Sequence, residues 1–138
     1  MSHNVIASIY EAKLIAWAKA LPVPLKVVVE NEVYKPVDGE TYLKAFTLPA
    51  DTASNTLGGD HKLYTGVFQV SIVTPSGKYR GAAGALADQI AVLFPLYEQN
   101  TKGVLTVVTM TPVDPGPGIP DDTTYTVPVS FLYRADTN

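Results

Sequence analysis

Cysteine is missing from all 138 residues. That excludes disulfides, thiolate nucleophiles and Cys-ligated zinc or iron–sulfur centres, and it leaves the redox compartment open. Basic charge is also scarce. Ten Lys and Arg stand against thirteen Asp and Glu for a net charge of −3, and Lys78 with Arg80 is the densest basic pair. Such scatter offers no concentrated footprint for phosphate, so no nucleic-acid partner is expected to be bound specifically. Long hydrophobic runs are absent as well: no stretch approaches the ~18 apolar residues of a membrane span. The opening MSHNVIASIYEAKLIAWAKAL carries Glu11 and Lys13 among its apolar residues and lacks the basic start and unbroken apolar core of a signal peptide. The expectation is a soluble chain, made and used without export, with no membrane partner.

What is present is a well-supplied core. Apolar residues make up 46% and charged residues 17%, enough for one domain over residues 1–138 with a lightly charged surface. The spacing of Ile6, Ile9, Tyr10, Lys13, Leu14, Trp17 and Leu21 predicts a helix over 4–20, capped by Ser2 or Asn4 and stopped by Pro22 and Pro24. Lys13 would snorkel from the edge of that stripe. Strands are predicted at 25–30 and in TYLKAFTL, where Tyr42, Phe46 and Leu48 oppose Leu43 and Ala45 without deciding which face is buried.

Residues 63–75 then alternate cleanly, with Tyr64, Phe68, Val70 and Ile72 on one side and Thr65, Gln69 and Ser71 on the other, and Gly66 lying within the run. A turn at TPSGK leads into a second helix from about residue 78 to 93, with Tyr79, Ala83, Leu86, Ile90 and Leu93 or Phe94 as its stripe and Pro95 as its stop. VLTVVTM (104–110) and TYTVPVSFLY (124–133) predict a closing strand pair; in the second, Tyr125, Val127, Val129, Phe131 and Tyr133 share one side, and Pro128 faces the other at an edge or a locally unpaired position. Two polar connections interrupt this order. One is residues 49–61; the other, TPVDPGPGIPDD, holds four prolines and two glycines and is expected to project as an extended link. The order α-β-β-β-α-β-β predicts an α+β two-layer domain. It would be a mixed or antiparallel sheet of about five strands with both helices packed on one face.

A search for chemistry finds little. His3 reads as inert at a frayed terminus, and His61 follows Gly58-Gly59-Asp60 in a loop with no convergent ligands nearby in sequence. No serine lies in a nucleophile elbow. PSGKYRG lacks the spaced glycines and the closing Lys-Ser/Thr of a phosphate loop. Asp114, Asp121 and Asp122 have the ligand type that calcium takes, but their spacing fits no EF-hand and suits turn formation. Neither a metal nor a cofactor is predicted, nor is an enzyme. Among the tyrosines, Tyr64, Tyr79, Tyr125 and Tyr133 read as core, whereas Tyr34, Tyr42 and Tyr97 read as surface anchors of the kind enriched at interfaces.

The segments YTGVFQVSIVTPSG, ADQIAVLFP and VPVSFLYRAD, in a chain that matches in order from about residue 5 to 136, resemble the tail terminator-like proteins of long-tailed bacteriophages. These are relatives of the lambda-type terminator. The resemblance implies a sheet with two helices on one face and a structural assembly protein of the virion, made in the host cytoplasm. It also implies a hexameric ring of this chain on the head-proximal end of the tail tube. The ring would stop tube polymerisation and join the tail to head-completion or neck proteins, with DNA passing through its lumen. The candidate contacts with neighbouring subunits or the tube are then Asp51, Asn55, Asp60 and His61 in one loop, Asp114, Asp121 and Asp122 in the other, and Tyr34. The alternatives are another neck or head-completion connector, or a small-molecule-binding domain or hydrolase built on His61.

Overall fold

Two long strands set the architecture. In the computed structural model, which describes residues 3–30, 32–36, 39–50, 53–54, 62–76, 80–102, 105–121 and 123–137, β4 (Lys62–Pro75) and β9 (Thr124–Thr137) pair antiparallel over their whole length, from Lys62↔Thr137 to Pro75↔Thr124. Around them lie β1 (Lys26–Val28), β2 (Tyr42–Pro49), β5 (Gln99–Lys102) and β6 (Leu105–Thr109), in the spatial order β1-β2-β4-β9-β6-β5. The β1–β2 pair is parallel and the rest are antiparallel, so the sheet is mixed. Three short strands complete it: β3 (Ala53–Ser54) on β4, and β7 (Asp114–Pro115) and β8 (Ile119–Pro120) on β9. The sheet is therefore larger than the five strands expected. The extra members are two- to four-residue segments too polar or too proline-rich to show strand periodicity.

The alternation seen in the sequence fixes the faces. Tyr64, Phe68, Val70 and Ile72 of β4 and Val127, Val129, Phe131 and Tyr133 of β9 are buried on one side. The register places Leu43 and Ala45 of β2 and Leu105 and Val107 of β6 with them. This settles the face of β2: Leu43 and Ala45 point to the core, while Leu48 is exposed. Helix α1 (His3–Lys19) lays Ile6, Tyr10, Leu14 and Ala18 on that side, and α2 (Arg80–Leu93) adds Ala83, Ala87 and Ile90, with Phe94 just beyond its end. Both helices thus feed one core in an α+β arrangement, though the layers are not the plain pair expected, because the sheet curls. At the centre, the Tyr10 ring meets Phe68 (5.2 Å), Phe94 (5.7 Å) and Phe131 (5.0 Å), with Phe94 and Phe131 5.1 Å apart. Truncating one such ring to alanine costs ~3–5 kcal/mol.

The sheet curls around α1. Ser8 takes a hydrogen bond from Lys102 (3.1 Å) and Lys13 pairs with Glu98 beside β5, while Ala18 accepts from the Leu25 amide (3.3 Å) next to β1. A flat sheet with those edges would be about 24 Å across at ~4.8 Å per strand. The stretch from Ser8 to Ala18 rises only ~15 Å. Both edges reach one helix because the sheet wraps it. Lys13 sits at the rim as expected, its ammonium also 5.7 Å from the Phe94 ring.

The proline-rich segment does not project. It runs along β9 as a broken continuation of β6, with Asp114↔Ser130, Pro115↔Val129, Ile119↔Thr126 and Pro120↔Tyr125 in register. The break has a cause. Pro128 accepts from the Gly116 amide (2.7 Å), so its hydrogen-bonding edge faces this segment and not β4. With no N–H to return, the ladder lapses between β7 and β8 while the β4–β9 pair stays whole. Residues 53–54 likewise turn part of the 49–61 loop into a strand against Leu63 and Lys62.

Candidate functional site

The expected contact residues do not form one site. Tyr34 is half-buried beside β2, its ring 5.8 Å from Tyr42 and its hydroxyl donating to Glu40 (2.5 and 2.7 Å). That bond, with smaller contributions from desolvation and nearby charge, pushes the phenol up to about 12. Asp114 and Asp121 are exposed on the far side of the sheet, with β4 and β9 between them and β2. Asp51, Asn55, Asp60, His61 and Asp122 lie outside the described residues, and so does Tyr79. Tyr42, read as a surface anchor, is buried: Val73 is its cross-strand neighbour and Tyr34 packs edge-on against it. Tyr97 is 65% exposed, in a left-handed backbone conformation (φ 63°).

His3 is not idle at a frayed end. Its Nδ1 is 2.7 Å from the Tyr133 hydroxyl, its ring stands edge-on to Tyr64 at 5.2 Å, and burial lowers its pKa. It shares a cavity of about 310 Å³ with Glu11 and Glu30. The Glu11 carboxyl is raised by burial and then by the charge of Glu30. This is the nearest approach to an acid–base group. Its members already hold structure together, though: His3 engages Tyr133, and Glu30 accepts the Thr47 amide. Among the described residues, no group of three His, Asp or Glu converges to hold a metal ion.

Three surface features stand out instead. The sheet face away from the helices carries a cross-strand row, Leu48–Val67–Leu132, with Leu48 52% and Leu132 47% exposed. That row runs on to Met110, whose amide donates to the Leu132 carbonyl (2.8 Å), while a second set, Val92 (80% exposed), Leu96 and Tyr97, is exposed on and just beyond α2. The third is a groove of about 310 Å³ at the β1–β2 end, walled by Tyr34, Tyr42, Phe46 and Pro36. Sequence reasoning missed the first and named only Tyr97 of the second. Val92 was the findable one, since it lies two residues from both Ile90 and Phe94 and so falls off the buried stripe of α2.

An α+β unit that exposes apolar side chains on both its sheet and its helices has the build of a structural subunit. A family model described as the phage tail terminator protein matches residues 5–133. A solved structure that bears no functional name is 36% identical, with a TM-score of 0.83 over 98% of this chain and 96% of its own. No curated protein matches. The chain belongs to the phage tail terminator family, and its role is structural, in the assembly of the phage tail. Among the described residues, no helix is long and apolar enough to cross a membrane.

Proposed function

We propose that this chain forms a hexameric ring on the head-proximal end of the tail tube, ends tube polymerisation and presents the surface that head-completion proteins join. The family supports the setting. The observation that carries the ring is apolar surface exposed on both sides of the subunit: the Leu48–Val67–Leu132–Met110 row lies on the sheet face away from the helices, and Val92 lies exposed on α2. A closed ring is built from head-to-tail contacts, so each subunit must offer two unlike patches. A symmetric dimer needs only one. Exposed apolar surface of this kind is what a monomer avoids unless it serves association. DNA would pass through the lumen without sequence-specific contact.

The test is mass in solution by light scattering across a wide concentration range, followed by binding to purified tail tubes. A species of hexamer mass, or specific capping of tube ends, is the expected result. A chain that stays monomeric and leaves tube ends free to grow would refute the reading and favour another neck connector. Deleting 112–122 is not a clean probe, because that segment covers the edge of β9. Substitution of Leu132 or Val92 by Asp is preferable, being confined to exposed side chains.

A further inference from the structure

We propose that the proline-rich segment 111–121 of one copy docks in the Tyr34–Tyr42–Phe46 groove of the next. This rests on the ring reading and names one of its contacts.

The segment is built to bind by side chains. Pro112, Pro115, Pro117 and Pro120 are all exposed, and none has an N–H to offer. The Gly116 and Asp121 amides are spent on Pro128 (2.7 Å) and Thr124 (2.8 Å). Its outer edge is therefore blunted against strand addition by a neighbour. Pyrrolidine rings on a stiff, extended backbone lose little entropy on docking, and the surface that accepts them is an aromatic-lined groove.

The β1–β2 groove has that chemistry. Tyr34, Tyr42 and Phe46 supply the rings, and Lys44 lies 5.8 Å from the Tyr42 ring centre, a positive charge to meet Asp114. The nearby carboxylates are already engaged: Glu32 with Lys26 (2.7 Å), Glu40 with Tyr34, and Glu30 with the Thr47 amide.

The segment cannot reach the groove of its own chain, so a second copy supplies the occupant in this proposal. Within one chain, the segment is pinned on β9, with the Tyr125 ring lying over Gly118 where any Cβ would strike it. The strands β4 and β9 separate it from β2, about 14 Å away at ~4.8 Å per strand. Donor and acceptor on opposite sides of one subunit make a head-to-tail contact.

The probe is a synthetic peptide of residues 111–121, titrated into the isotope-labelled full chain carrying Pro115→Ala and Pro117→Ala to silence its own donor. Saturating amide shifts at Tyr34, Tyr42 and Phe46 are expected. Binding should weaken at least about tenfold in Tyr34→Ala and persist in Tyr34→Phe, which keeps the ring but loses the Glu40 bond. Unmoved groove resonances, or shifts indifferent to Tyr34→Ala, overturn the contact. The mass of the unmodified chain separates the two ideas. A hexamer whose groove ignores the peptide keeps the ring and discards this contact, whereas a bound peptide with a chain that never assembles keeps the contact and discards the ring.

Discussion

Gly66→Ala should be among the most damaging single-methyl changes in this protein. Gly66 faces Tyr133 across the β4–β9 pair. A Cβ there would stand 2.5 Å from the Tyr133 hydroxyl oxygen, 2.7 Å from its Cζ and 2.7 Å from the Leu48 carbonyl oxygen. Neither neighbour yields easily. The Tyr133 ring is fully buried and its hydroxyl is bonded to His3, while the Leu48 carbonyl belongs to the paired backbone of β2. Overpacking of this kind costs ~1–3 kcal/mol, and displacing the hydroxyl gives up a hydrogen bond worth ~1 kcal/mol. Replacing glycine in a strand returns only ~0.5–1 kcal/mol of backbone entropy. The net loss is about 2–3 kcal/mol, or roughly 6–12 °C in Tm for a chain of this size. Urea unfolding followed by circular dichroism measures it. The double variant Gly66→Ala/Tyr133→Leu should lose about 1–2 kcal/mol less than the sum of the single changes, since the smaller side chain vacates part of the clash. A loss below about 1 kcal/mol for Gly66→Ala, or strict additivity, would refute the steric account.

Two further outcomes follow from the same core. Tyr10 and Thr109 carry buried hydroxyls that lie near each other without a well-formed hydrogen bond, and burial is the main cause that pushes the Tyr10 phenol up to about 12. Tyr10→Phe should therefore leave stability within ~0.5 kcal/mol or raise it, and a loss above ~1.5 kcal/mol by urea unfolding would mean the hydroxyl is satisfied. His3 has its pKa lowered by burial from 6.5, so the unfolded chain takes up its proton first as pH falls. Its contribution is complete above pH 6.5 and declines as pH drops through that value toward the lowered folded pKa. Thermal melts at about pH 7.5 and pH 5.5 should show a larger loss for the parent than for His3→Gln; equal losses would contradict the packed, neutral His3.

Much of this fold was legible because periodicity reports local geometry. Alternation in 63–75 and 124–133 identified the core faces of β4 and β9, and the Ile6–Tyr10–Leu14 spacing identified the buried stripe of α1. Punctuation was legible too, with Pro22, Pro24 and Pro95 ending the helices. Polar strands were not. Gln99–Lys102 has no apolar rhythm and becomes β5 only because β6 offers it partners from Leu105 to Val108. The candidate site was less legible still, since surfaces are assembled from residues far apart in the chain.

The sequence by itself determined the α+β class, the helices and the two central strands, because burying apolar surface on one face of each element is a local demand that residue spacing must satisfy. The tertiary structure alone decided three matters. It put Leu43 and not Tyr42 on the core face, since the register with β4 chooses the side. It laid the 112–120 segment along β9, where the edge amides and carbonyls needed partners. It also brought His3 onto Tyr133, 130 residues away, because the return of β9 beside β4 creates that pocket only once the sheet has curled around α1.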